Sequence, residues 1–161
     1  MEIDLQKEYE SLKKRYPALP SFQEINVNFE LSIFEPRIAN TTLFARYLRK
    51  ICSSYIENFC TFLTNLLHPN PNFLISAHES KFLSDTDKDL ISKEVRENMM
   101  LIRFASSTTV LYDEPKEIEA IVKFNGQMKK NKEVLKTVFT KLNKGWEELH
   151  DKTEEKGSYV G

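Results

Sequence analysis

The sequence predicts an all-α domain of four to five helices, built on a long central helix and preceded by an extended N-terminal arm. Three observations lead there. The six prolines fall at positions 17, 20, 36, 69, 71 and 115 and leave 37–68, 72–114 and 116–161 uninterrupted. Of the four glycines, only Gly126 and Gly145 precede the stretch 151–161, whereas an all-β chain needs many more turn residues. Within the long windows apolar residues recur every three or four positions, the period of a helix with one buried face.

The first helix spans 2–16, with Ile3, Leu5, Tyr9, Leu12 and Tyr16 on its apolar side. Pro17 stops it, and Pro17-Ala18-Leu19-Pro20 makes a rigid connector. Ser21 caps a short turn with Glu24 three residues on, the capping-box spacing. From Ile25 to Ile33 apolar and polar residues alternate strictly, which predicts an extended segment. A lone strand has no visible partner, so this arm is expected to lie over the helices.

The central helix runs from about Asn40 to His68. Phe44, Leu48, Ile51, Tyr55, Phe59, Phe62 and Leu66 form one stripe, and Leu43, Tyr47, Cys52, Ile56, Cys60, Leu63 and Leu67 form a second beside it. Two adjoining stripes imply burial over more than half the circumference. Pro69-Asn70-Pro71-Asn72 ends the helix, and 73–83 reads as a short helix or a hydrophobic loop. Ser84 then caps a helix with Asp85, Asp87 and Asp89 in its first turns, where acids favour the positive helix end. Its expected buried face carries Ile91, Val95, Met99, Leu101, Ile102, Ala105, Thr108 and Leu111. Asp113-Glu114-Pro115 starts the last helix, with Asp as cap and Pro in the first turn. That helix either breaks at Gly126 or continues to about His150. The domain is therefore expected over 1–150, with 151–161 a polar, disordered tail.

Composition narrows the function classes. Twenty-three Lys and Arg against 24 Asp and Glu give a net charge of −1, which excludes a globally basic nucleic-acid binder and a globally acidic mimic. A hydrophobic share of 40% with 29% charged residues excludes a largely disordered chain. Met1–Leu5 shows no basic, apolar leader. Cys52 and Cys60, eight residues apart on one helix, would stand ~12 Å apart, beyond the ~7 Å reach of a disulfide. They are expected to be buried free thiols, and with them a cytoplasmic setting. The stretch 51–78 has Glu57 as its single formal charge but is interrupted by Ser, Thr and Asn, so it reads as a buried helix and not as a span of ~20 apolar residues.

Charge clusters supply the candidate surfaces. Lys129, Lys130, Lys132, Lys136, Lys141 and Lys144 face a single acid, Glu133, over about half a helix circumference. Lys129, Lys132, Lys136 and Lys144 are the candidate contacts to phosphate or an acidic partner, although the face lacks the arginines and interleaved aromatics of base readout. Arg46 and Arg49, three apart on one helix face with Lys50 beside them, form a second candidate anion site. Their expected structural partners are the acids at 85, 87, 89, 94 and 97. Phe22, Phe29 and Phe34 in the arm, with Trp146, are the candidate protein-binding side chains.

Catalytic signatures are sparse. His68, His78 and His150 show no metal-ligand spacing, and no Walker-type loop, G-x-S-x-G or dinucleotide fingerprint occurs. Asp85-Thr86-Asp87-Lys88-Asp89 lacks the glycine and closing glutamate of a calcium loop. No catalytic residue, metal or cofactor is assigned.

Leu19-Pro20-Ser21-Phe22-Gln23-Glu24-Ile25, then Phe29-Glu30-Leu31, and later Glu79-Ser80-Lys81-Phe82-Leu83 resemble a pattern in a family of uncharacterised archaeal all-helical proteins. The resemblance covers about residues 2–150. It implies a helical fold and a cytoplasmic setting and carries no activity or functional residue. Three readings follow: a non-enzymatic protein-interaction module, self-associating or binding another protein; an RNA- or ribosome-associated factor using the lysine face; and an enzyme with an inter-helical site. A protein partner is expected first and RNA is the alternative, with no membrane role.

Overall fold

The computed structural model describes residues 4–33 and 41–157, which form six α-helices and no strand. In chain order they are α1 (Leu5–Arg15), α2 (Phe22–Phe29), α3 (Phe44–Leu67), α4 (Leu74–Phe82), α5 (Asp85–Ser107) and α6 (Glu114–Gly157), with 3-10 turns at Leu31–Ile33 and Thr41–Leu43. The all-helical class holds, with six helices instead of four to five.

The extra helix is α2, where an extended arm was expected. Ile25 and Phe29 are both fully buried, while Val27 between them is exposed. A four-residue spacing satisfies both a period of two and one helical turn, so alternation alone does not separate strand from helix. The N-terminal cap decides the matter locally: the Glu24 amide donates to Ser21 Oγ at 3.1 Å. Glu30 ends the helix in the left-handed region at φ 50°, and its carboxylate accepts from the Tyr55 hydroxyl at 2.7 Å. The chain then turns back to bury Leu31 and expose Ile33.

Helix α3 is central and packs on both α5 and α6. Its two stripes supply buried Phe44, Leu48, Ile51, Cys52, Ile56, Phe59, Cys60, Leu63 and Leu66. Both cysteines are free and buried. Burial pushes the Cys60 thiol up to about 11 and the Cys52 thiol higher still, so neither is a thiolate nucleophile near neutral pH.

Helix α5 begins on a full capping box: the Asp87 amide donates to Ser84 Oγ at 3.2 Å and the Ser84 amide to Asp87 Oδ2 at 2.9 Å. Two of its expected core residues, Met99 and Leu111 beyond its end, are exposed instead. Helix α6 starts on Asp113, whose carboxylate accepts from the Lys116 amide at 3.3 Å. It runs through Gly126 without a break and past His150 to Gly157, so 151–157 continues the helix where a disordered tail was expected. Its 44 residues span ~66 Å at 1.5 Å per residue, against ~36 Å for α3.

The core has two parts. One joins α1 and α2 to the first half of α3, the end of α5 and the start of α6. The other joins the second half of α3, Leu83, Ile91 of α5 and Val134, Val138 and Leu142 of α6. Along the α5–α6 seam a buried polar layer lies between them. Asn98 and Asn131 exchange amide hydrogen bonds at 3.1 and 3.0 Å, and Gln127 Nε2 donates to Glu94 Oε1 and to Asn131 Oδ1. Among the described residues no helix is long and apolar enough to cross a membrane.

Candidate interaction surface

The aromatic residues named from the sequence sit mostly within the fold. Phe29 is fully buried, edge-on to Tyr55 at 6.0 Å between centroids. Phe22 is half-buried, edge-on to Tyr9 at 5.5 Å. Phe34 lies outside the described residues. Trp146 packs edge-on to Phe82 at 5.4 Å and stacks on His78 at 6.1 Å, while its Nε1 donates to Glu79 Oε1 at 3.1 Å. These contacts engage Phe22, Phe29 and Trp146, the candidate protein-binding side chains, in packing within the chain, with Phe29 fully buried and the other two partly buried.

The lysine face is divided among neighbours. Lys129 pairs with Glu24 of α2 at 2.7 Å. Lys132 donates to Asn28 Oδ1 at 2.7 Å and to the Val27 carbonyl at 3.2 Å. Lys130 pairs with Glu97 at 3.6 Å, Lys141 with Asp87, and Lys144 with Glu148 at 3.7 Å. Lys136 is exposed. The face thus pins α2 and α5 to α6.

Arg46 and Arg49 meet an acid from a different helix than expected. Glu117 of α6, fully buried, accepts from Arg46 Nε at 3.0 Å and from Arg49 Nε at 2.8 Å. The acids of α5 lie between its start and its middle, the part that packs with the second half of α3, away from Arg46 and Arg49. Arg46 also donates to the Thr108 carbonyl at 2.8 Å and lies over the Tyr112 ring at 5.0 Å. Arg49 is nine-tenths buried, and its Nη2 has no hydrogen-bond partner.

Among the described residues three apolar features open to solvent stand out, and none of them was named from the sequence as a candidate binding surface. At the start of α4, Phe73, Leu74 and Ile75 are 66%, 74% and 66% exposed. Beside them lies a hollow of ≈ 400 Å³ walled by Phe62 and Leu66 of α3. Phe62 stacks on half-exposed Phe139 of α6 at 5.5 Å, extending the apolar surface across three helices. The second feature is a groove of ≈ 500 Å³ between α5 and α6, lined by Met100, Leu101, Phe104 and Gly126. The third is the exposed pair Val110 and Leu111 in the α5–α6 connection. The α4 run had a signal: three consecutive apolar residues cannot all face one core from a single helical turn.

Chemistry at these surfaces is limited. Among the described residues no group of three or more His, Cys, Asp or Glu side chains is placed to hold a metal ion. His78 and Glu79, the histidine and acid adjacent in sequence, both contact Trp146. The chain matches no family model, and no curated protein or solved structure shows significant similarity to it.

Proposed function

We propose that the protein is a non-catalytic protein-binding module that docks an apolar segment of a partner protein on the tip of α4. The exposure of Phe73, Leu74 and Ile75 in one run carries this reading. Single exposed apolar residues are ordinary, but three in a row beside a hollow and a second exposed ring form a patch of the kind that marks interaction sites. An aromatic or aliphatic anchor seated in a pocket is the centre around which a binding interface is built.

The RNA reading has less support, because Lys129, Lys132 and Lys144 each have a partner within the chain. Non-specific phosphate binding depends on lysines free to displace counterions.

The test is capture of partners from the native host by the tagged protein, with and without ribonuclease, compared with a Phe73→Ser, Leu74→Ser, Ile75→Ser variant. Partners retained after ribonuclease and lost in the variant, with helical circular dichroism unchanged, are expected. Partners that the variant keeps, or that ribonuclease removes, would transfer the function to another surface or to the lysine face.

A further inference from the structure

The α5–α6 groove is separate from the α4 tip and carries its own argument. Glycine inside a helix is destabilising relative to alanine, so a glycine in the interior of α6 needs a reason. For Gly145 the reason is internal, because a Cβ there would collide with the Phe82 ring. For Gly126 the fold supplies none: nothing lies within 4 Å of the position its Cβ would take. The open space is the floor of the groove, and Met100 stands on the opposite wall with 74% of its surface exposed. A protruding side chain and a vacant site at the same level form a knob and a hole that do not fill each other within one chain.

The groove also separates its charges. Its α5 wall carries Glu97, and its α6 wall carries Lys123 and Lys130. Two contacts fix the antiparallel register. Lys130 pairs with Glu97 at 3.6 Å, and Lys123 Nζ lies 3.9 Å from the centroid of the Phe104 ring. Gly126 and Met100 fall between these rungs. The floor is held by Gln127, anchored to Glu94 and Asn131.

We propose that this groove is a self-docking face, in which Met100 of each copy fills the hollow over Gly126 of the other. A two-fold axis parallel to the groove lays α5 of one copy on α6 of the next at the same level. Each rung is then repeated across the interface: Glu97 meets Lys130, Phe104 meets Lys123, and Met100 meets Gly126. The face is therefore complementary to itself, as an isologous dimer requires. A two-fold axis across the groove would instead bring the lysines of the two α6 helices together, a repulsive arrangement. The unfilled knob and hole point to a second copy as the occupant, and the placement of the lysines, with Lys130 already paired to Glu97 and Lys123 to Glu119 within each chain, fixes its orientation.

Light scattering over a dilution series reads the assembly directly. The wild-type chain is expected to show twice its 18.9 kDa mass when concentrated and to dissociate on dilution. Met100→Lys is expected to be monomeric throughout with unchanged helicity, since lysine keeps helix propensity while repelling the α6 lysines of the second copy. Glu97→Lys alone and Lys130→Glu alone are each expected to weaken the dimer by about tenfold or more. An equimolar mixture of the two recovers it, because each variant supplies the charge the other has lost. Mixing cannot restore a contact within one chain, so recovery separates an interface from a folding defect. A wild-type chain that is monomeric at every concentration overturns the proposal, as does a dimer that survives Met100→Lys or a mixture no tighter than its components. A dimer lost only in the Phe73, Leu74, Ile75 variant would place self-association on α4 and overturn it equally.

Discussion

Two glycines on one helix have opposite meanings for stability. Gly126 faces open space and Gly145 faces the Phe82 ring. Gly126→Ala, made in the Met100→Lys background so that only the single chain is read, is expected to raise unfolding stability by ~0.5–1 kcal/mol. Gly145→Ala is expected to lower it by ~1–3 kcal/mol through overpacking. Urea midpoints at matched slopes measure both. Two acids of α5 likewise act in opposite senses. The Lys141 ammonium, with the Ser84 hydroxyl, holds the Asp87 carboxyl down to about 2 from an ordinary 3.8. A depressed carboxylate stabilises the fold above its unfolded pKa, and that stability is lost as pH falls from about 4 toward about 2. Glu94 is raised by burial, so its stability is present below its unfolded pKa and lost as pH rises through the folded value. Asp87→Asn is therefore expected to lower neutral-pH stability and flatten the acid limb of a pH–stability curve. Glu94→Gln is expected to leave neutral-pH stability equal or higher while keeping an acceptor for Gln127. A fall in neutral-pH stability on Glu94→Gln would contradict the burial argument.

At the level of elements, the joint between α3 and α6 depends on one buried carboxylate. Glu117 pairs with both Arg49 and Arg46, so Glu117→Ala leaves the buried Arg49 guanidinium without its counter-charge. A loss of ~3–5 kcal/mol is expected, whereas pairing Glu117→Leu with Arg49→Met costs less than Glu117→Ala alone. A double-mutant cycle on chemical denaturation checks the ordering. The same joint shows what could be read from the sequence. The helical stripe of α3 and the caps Ser84 and Asp113 are local signals, written within a few residues, and they were legible. The Arg46–Glu117 pairing spans 71 positions, and no local pattern specifies which acid arrives. The arm over 25–33 failed for a different reason, since Ile25 and Phe29 obey strand and helix spacing alike. The binding surfaces were the least legible part. Periodicity shows that Met99, Phe139 and Leu111 are apolar, but only the packing of neighbouring helices decides which apolar residues stay covered.

Across the whole molecule, α6 holds the parts together. It supplies residues to both apolar clusters and to the polar layer between them. That layer replaces apolar contact with Asn98–Asn131 and Gln127–Glu94 hydrogen bonds, which are satisfied only in one register of α5 against α6. Asn131→Leu is expected to leave Asn98 unsatisfied in the core and to cost ~1–3 kcal/mol. Joint replacement of Asn98 and Asn131 by Leu should recover most of that stability and weaken register selection, visible as broadened amide spectra. The length of α6 has a temporal consequence as well. It is the last of the six helices to be synthesised, and neither apolar cluster is complete without it. A nascent chain that has reached Asp113 therefore exposes the inner faces of α3 and α5 until the next helix emerges, and that interval is when transiently exposed apolar surface leaves it most open to aggregation.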